Sequence, residues 1–446
     1  MDQQALDRTQ DSTPESAAGR GPNGAPEGAH DGALETALAG GPRVVAAASD
    51  SASDVAAAAA TMPATNPVSG ATPSTAASLA LGASNGERVV VAMSGGVDSS
   101  VAALLLAREG RSMVGLFMRN GVHVDEQQSH KKSCCSVSDA RDARMVAAKL
   151  GIAFQAVDLA AEFGQIIRYF LREYSAGRTP NPCVVCNRDL KFQRLLRFAD
   201  ELGCSAVATG HYAQLALEDG RVVVRRGVDR DKDQSYQLFS VRERDLARAR
   251  LPLGGLRKPH VRALAAEFGL RTAHKADSQE ICFVPSNDYR KLLAERGAQL
   301  HPGSIVDTTG RVLGRHEGTE HFTIGQRRGH GIASEQPLYV VALEPERGLV
   351  VLGSRDECLS RSMVVRELNW IGFDPPPSWR CAVQVRYRHE PAACEVSLED
   401  GAARVVFDEP QMALTPGQGA AFYAGDRLLG GGWIESADAF SAAALA

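Results

Sequence analysis

The chain has 446 residues, enough for two or three domains each with its own core. Its net charge of −4 offers nucleic acid no global attraction, so RNA binding would have to rest on local basic patches. No apolar run is long enough to span a bilayer, and nine scattered cysteines without a secretory signal argue against a disulfide framework and for a reducing, cytoplasmic setting.

Residues 1–86 are rich in Ala, Gly, Ser, Pro and Thr and nearly lack large apolar side chains, so a disordered low-complexity extension is expected there. Asp2, Asp7, Asp11, Glu15, Glu27 and Asp31 argue against a transit peptide. From residue 87 the pattern alternates. Strands are predicted over 88–93, 113–118, 152–157 and 206–209, with helices over 98–109, 138–150, 161–175 and 189–202. Such alternation implies an α/β fold with a doubly wound parallel sheet, whose ligands sit beyond the carboxyl ends of the strands. Beyond about residue 300 short β runs take over. They suggest a small β module and then a C-terminal β-barrel, with strands near 381–387, 393–398, 403–407, 420–422 and 428–434. The expected division is a catalytic domain at 87–300, the module at 301–360, the barrel at 361–437 and a tail at 438–446.

The first strand runs into Ser94-Gly95-Gly96-Val97-Asp98-Ser99-Ser100 and then a helical pattern. Adjacent glycines let backbone N–H groups approach an anion, and the helix start adds further donors and the positive end of a dipole. The loop lacks the Lys-Ser/Thr ending of a Walker A motif; it resembles instead the PP-loop of ATP pyrophosphatases. The plainer alternative is a βα turn that needs glycine for geometry alone. Met118 and Gly210 lie at neighbouring strand ends. Met118 reads equally as an apolar contact for a base or as core packing, and Gly210 would let an adenosine approach.

Two cysteine loops carry the remaining chemistry. In Thr179-Pro180-Asn181-Pro182-Cys183-Val184-Val185-Cys186-Asn187 a proline-bounded loop is expected ahead of a helix starting near Arg188. Cys186 would then sit near a helix N-terminus beside Arg188 and Lys191, which favours a thiolate. Asp277-Ser278-Gln279-Glu280-Ile281-Cys282-Phe283 brings a second cysteine. Two thiols beside an ATP loop suggest sulfur transfer to an ATP-activated acceptor, against the plainer reading of small buried residues, which suits Cys204, Cys381 and Cys394. Cys134-Cys135 lies in a separate loop and reads as solvent-side filler, a sulfur acceptor or a cluster neighbour.

Over roughly residues 88 to 436 the chain resembles the tRNA-specific 2-thiouridylases. The resemblance rests on Met93 to Ser100, Gly115-Leu116-Phe117-Met118, Ala176 to Pro182, Cys186-Asn187, Leu190-Lys191-Phe192 and Thr209-Gly210-His211-Tyr212. It continues through Lys232-Asp233-Gln234-Ser235-Tyr236, Ile281-Cys282-Phe283, Thr323-Ile324-Gly325-Gln326-Arg327, Arg386-Tyr387-Arg388 and Thr415-Pro416-Gly417-Gln418. What the resemblance implies is an adenine nucleotide alpha hydrolase-like fold and conversion of the wobble uridine (U34) of tRNAs for Lys, Glu and Gln to 2-thiouridine. ATP with Mg2+ would adenylate O2 of the uracil. It would be held by Ala92, Met93, Ser94, Gly95, Gly96, Val97, Asp98, Ser99, Met118 and Gly210. Cys282 would carry a persulfide, loaded by a cysteine desulfurase directly or through a sulfur relay. Cys186 would be the nucleophile that attacks it, releasing hydrosulfide or forming a disulfide with Cys282. The tRNA would meet Cys183, Val184, Val185, His211, Lys232, Asp233, Gln234, Arg386, Tyr387 and Gln418. Lys191, Arg194 and Arg197 would add one basic helix face.

Cys183 departs from the aspartate that many members of that family carry. With Cys186 and Cys282 it makes three thiolates, a number that suits a zinc ion or a [4Fe–4S] cluster with one open iron. The competing readings are an amidotransferase-like ligase acting on a metabolite, an RNA-binding protein with a merely structural ATP site, and an enzyme making 4-thiouridine elsewhere in tRNA. None of these explains the later motifs.

Overall fold

Three consecutive valines, Val89-Val90-Val91, form the middle of strand β1 (Arg88–Ala92), and all three are fully buried. A strand apolar on both faces belongs at the centre of a parallel sheet covered on both sides. The computed structural model describes residues 86–121, 137–277, 281–284, 288–438 and 440. The expectations for residues 1–85, Cys134-Cys135, Ser278-Gln279-Glu280 and nearly all of the tail lie outside the described residues.

After β1 come α1 (Val97–Arg108), β2 (Ser112–Arg119), α2 (Val137–Lys149), β3 (Ala153–Asp158) and α3 (Ala160–Ser175). Next are α4 (Pro182–Cys186), a π-helical segment (Asn187–Arg194), α5 (Leu195–Glu201), β4 (Ala206–Ala208), and the hairpin β5 (Ala213–Glu218) and β6 (Arg221–Arg226). A short α6 (Glu243–Leu246), β7 (Ala249–Arg250), α7 (Lys258–Glu267) and α8 (Tyr289–Glu295) complete this stretch. The parallel sheet has the order β3-β2-β1-β4-β7, with Val89 opposite both Met113 and Ala206. Val89, Val91, Met113 and Phe117 pack with α1, α2 and α7 on one face, whereas Val90, Val114, Leu116 and Val207 pack with α5 on the other. The strand order reverses between β1 and β4, so the crevice at their carboxyl ends is where such sheets bind ligands. The doubly wound sheet expected from the sequence is present.

Strands β8 (Gly303–Asp307), β9 (Val312–His316), β10 (Tyr339–Glu344) and β11 (Leu349–Gly353) form a separate four-stranded sheet in the order β10-β11-β8-β9. Then β12 (Leu359–Trp370), β13 (Ser378–Gln384), β14 (Ala392–Glu399), β15 (Ala402–Met412), β16 (Gly419–Ala424) and β17 (Arg427–Ala437) follow. They run β12-β15-β14-β13-β16-β17, and β17 pairs back to β12, which closes a six-stranded barrel. Closure removes the exposed edges that an open antiparallel sheet would carry.

Among the differences from the sequence reading, two bear on the placing of the site. First, β5 and β6, assigned no strands above, extend the barrel sheet: Arg225 pairs with Arg427 and Val224 with Leu428. Second, the segment expected to be a loop up to Cys186 is helical from Pro182. Asn181 caps it by accepting from the Val184 N–H at 3.4 Å, and Pro182, whose missing N–H has no partner to lose, occupies the first turn. The helix runs on through the π-helical segment into α5, so Cys186 ends α4 in mid-course and Cys183 stands in the first turn. The thiolate argument from a helix N-terminus therefore does not apply to Cys186. In the wider π-helical turns, moreover, residues three apart do not stack on one face. Arg194 is instead taken up by Glu162, at 3.1 Å, and lies 4.5 Å from the centre of the Phe198 ring.

Candidate active site

The loop after β1 is organised by its own hydroxyls. Ser99 Oγ accepts from the Ser94 N–H at 3.1 Å and lies 3.2 Å from Ser94 Oγ, and Ser100 Oγ donates to the Gly96 carbonyl at 2.8 Å. Gly95 has φ of 74° and a Cβ there would lie 2.2 Å from the Asp139 carbonyl oxygen, so the turn admits only glycine. Gly96 is the N-cap of α1 with no side chain bonding the first-turn N–H groups. The dipole of this twelve-residue helix thus faces the crevice with donors suited to phosphate oxygens. Gly210 has a different reason from the one expected: a Cβ on it would come within 2.9 Å of the Ser99 nitrogen. Its bareness lets the β4 end pack on the first turn of α1. Met118 is half-buried against the apolar cluster beneath Ala92.

A chain of charges leads from this loop. Lys258, 7 % exposed, donates to both carboxylate oxygens of Asp98 at 2.8 Å and lies 2.8 Å from Asp277 Oδ1. The Tyr212 hydroxyl donates to Asp98 at 2.7 Å. Asp277 also receives Lys232 at 2.8 Å and Arg262 at 2.7 Å. Burial alone would raise the Asp277 pKa; the bonds from Lys232 and Lys258 outweigh it and hold the carboxyl below its ordinary range. Lys275 Nζ donates to the Gly95 carbonyl at 2.8 Å and to Asp142 at 2.8 Å, and also pairs with Asp139. Burial would depress the Lys275 pKa, and its two carboxylate partners raise it past the ordinary value. Lys258 and Lys275 were not singled out by sequence reasoning, because a lone lysine carries no spacing signal; Tyr212 entered only as the last residue of the Thr209 to Tyr212 motif.

Asp277 stands five residues before Cys282. Phe283, 2 % exposed, fixes the far side of that cysteine, edge-on to Phe170 at 5.2 Å and to Phe163 at 5.6 Å between ring centres. Cys186, Ile281, Cys282 and Tyr387 all pack against the same apolar cluster, which also contains Phe170, Phe192 and Tyr236. Cys183 is exposed, while Val184 and Val185 are buried. Among the described residues no group of three or more His, Cys, Asp or Glu side chains is arranged to hold a metal ion. Cys183, Cys186 and Cys282 are not gathered into such a group in this structure.

Cys186 is braced from behind. The Asn187 amide donates to the Gln237 carbonyl at 3.2 Å, and its oxygen lies 3.1 Å from His211 Nε2. With that oxygen accepting, Nε2 carries the proton and Nδ1 accepts from the Thr209 hydroxyl at 2.7 Å. Burial, helped by Lys191, keeps the His211 pKa well below its ordinary value, so the ring is neutral. The barrel braces the same segment. Gln418 Nε2 donates to the Thr179 and Pro180 carbonyls at 3.2 and 3.1 Å, and Tyr236 Oη links Asn181 to the Gly419 carbonyl.

Of the residues that the family resemblance assigns to RNA, His211, Asp233, Gln234 and Gln418 are engaged inside the protein here. Asp233 accepts from Arg226, Gly227 N–H and Ser235, and Gln234 accepts from the Tyr212 N–H. Lys232, Asp233 and Tyr387 nevertheless line one cavity of about 380 Å³ with Arg226, Arg230 and Arg388. The exposed Arg386 flanks it on the β13–β14 loop. Asp231 and Glu390 line it too, so two segments more than a hundred residues apart form one charged surface of mixed sign around Tyr387.

Comparison with known proteins covers the same span. Models described as the tRNA methyl transferase HUP domain, the tRNA methyl transferase PRC-barrel domain and the aminomethyltransferase beta-barrel domain match residues 87–286, 290–354 and 360–434. A tRNA-specific 2-thiouridylase MnmA from Geobacter metallireducens is 49% identical over 358 residues, covering 79% of this chain and 97% of that protein. The Geotalea uraniireducens protein of the same name is 48% identical, covering 79% and 96%. That of Rhodopirellula baltica is 42% identical over 386 residues, covering 78% and 96%.

Proposed function

The chain belongs to the family of tRNA-specific 2-thiouridylases and is a tRNA sulfurtransferase; from that membership and the site's geometry we propose that it makes 2-thiouridine at the wobble position in three steps. Uracil O2 attacks the α-phosphorus of ATP and pyrophosphate leaves, which converts a poor leaving group into AMP. The terminal sulfur of a Cys282 persulfide then attacks C2 and AMP departs. Last, the Cys186 thiolate attacks the Cys282 sulfur. The S–S bond breaks toward the base, leaving a C=S group and a Cys186–Cys282 disulfide that an external thiol must reduce.

One observation carries this reading: Cys186 and Cys282 pack on one apolar cluster while Asp277, at the root of the Cys282 segment, is tied through Lys258 to Asp98 of the nucleotide loop. The Ser94 to Ser99 loop and the α1 N-terminus would receive the phosphates. Magnesium takes oxygen ligands, and the Asp98 carboxylate is of the right type to hold it once it exchanges a bond from Lys258 or Tyr212 for the ion; when bound it would neutralise phosphate charge. The acceptors would be tRNAs of the Lys, Glu and Gln type, and the donor a cysteine desulfurase or a relay protein. The cavity beside Lys232 and Arg388 would receive anticodon-loop nucleotides by stacking and phosphate pairing.

The test is purified protein with unmodified wobble-uridine tRNA, ATP, magnesium and sulfide, scored for 2-thiouridine and AMP. Equal yields of both are expected. Competent, tRNA-bound protein that forms no AMP would overturn the reading.

A further inference from the structure

Strands β13 and β14 place two cysteines directly opposite each other: Cys381 pairs with Cys394 in the antiparallel register. Opposite residues in such a ladder have Cα atoms about 4.5–5.5 Å apart, inside the span of about 4.4–6.8 Å that a disulfide bridges. Their Sγ atoms are 3.9 Å apart, close enough for one thiol to donate to the other. Cys394 is fully buried and its thiol also reaches the Cys381 carbonyl at 3.6 Å, whereas Cys381 is partly exposed. The two side chains therefore face each other, one end of the pair open to a small reagent. The bond to Cys381 and burial push the Cys394 thiol far above its ordinary pKa, which leaves Cys381 as the entry point.

We propose that Cys381 and Cys394 form a dithiol modification site, which a small-molecule disulfide such as glutathione disulfide oxidises to a bridge across the β13–β14 hairpin. The Cys381 thiolate attacks one glutathione sulfur, forming a mixed disulfide and expelling the first glutathione thiolate. Cys394 attacks the Cys381 sulfur, its proton passing to the second glutathione as that thiolate leaves. The pair loses two electrons and two protons, and glutathione disulfide gains both. The consequence lies at the hairpin's far end. Cys381 is three residues from the end of β13, and the connecting loop carries Arg386, Tyr387 and Arg388. Drawing the sulfurs into bonding distance shifts that loop against the Lys232 side of the cavity and weakens RNA binding, a consequence that rests on the RNA reading above.

The experiment treats the full-length protein with glutathione disulfide, blocks remaining thiols by alkylation and maps the peptides. A linkage between Cys381 and Cys394 that dithiothreitol reverses is expected, and Cys381→Ser or Cys381→Ala should lack it. Affinity for unmodified tRNA, read at fixed salt, should fall at least threefold on oxidation of the wild type and not of Cys381→Ser. Absence of the 381–394 linkage overturns the site. A linkage with unchanged affinity overturns its coupling to RNA. Reduced protein that binds no tRNA would refute the RNA reading instead, and the peptide map would still decide the site.

Discussion

His211 illustrates how a residue's role depends on what surrounds it. The resemblance assigns it to RNA, yet the ring lies buried and neutral between Thr209 and Asn187. Nothing in the sequence distinguishes the two placements, because burial depends on the π-helical segment passing over it. Since the folded state resists protonation, the unfolded chain binds more protons below about pH 6.5, and stability is lost as pH falls through that value. Urea midpoints between pH 7.5 and 5 should therefore drop more steeply for the wild type than for His211→Gln. The difference is at most about 1.4 kcal/mol per pH unit, and parallel curves would refute it. Asp277 makes a second case. Its three cationic partners come from two other segments, Lys232 from the loop after β6 and Lys258 and Arg262 from α7, so sequence could mark it only as part of a motif. Asp277→Ala leaves those charges facing one another and should cost about 1–3 kcal/mol, with thiolation falling more than tRNA-independent ATP binding. Equal loss of both would show that the residue only holds the fold.

At the scale of elements, the central strands and helices were legible because their periodicity is local: β1 from its valine run, α3 from apolar residues at helical spacing. The α4 segment was misread because Pro180 and Pro182 look like helix breakers. Only the first turn tolerates proline, and Asn181 in capping position is the signal that distinguishes the two cases. Asn181 bonds both the Val184 N–H and Tyr236 Oη. Asn181→Ala should cost about 1 kcal/mol for the cap, and it should change the alkylation rate of Cys186 with iodoacetamide. An unchanged rate would mean that the cap does not set that thiol's surroundings. The β5–β6 hairpin was equally findable, since Asp219-Gly220, with φ of 49° and 76°, is a favoured tight-turn pair. Its pairing with β17, itself expected as a strand near 428–434, was not, since no local pattern names a partner two hundred residues away.

The molecule as a whole is not a catalytic domain with a detachable barrel. Ala421, Tyr423, Leu428 and Trp433 of the barrel belong to the same core cluster as Phe163 and Phe170 of α3, and Thr179 N–H donates to the Pro416 carbonyl at 2.9 Å. Truncation after Ser360 should therefore unfold the Cys186 segment rather than merely remove an RNA surface. Near-UV circular dichroism and soluble yield would check this; a soluble, native-like fragment that still forms AMP with tRNA would contradict it.

The pairing of β6 with β17 also bears on how the chain is made. Arg226 leaves the ribosome roughly two hundred residues before Arg427, an interval of about 10–40 s at ordinary synthesis rates of about 5–20 residues per second. Throughout that interval the outer edge of β6 waits without its partner strand, open to pairing with any neighbouring nascent chain. Slower synthesis lengthens that exposure in proportion.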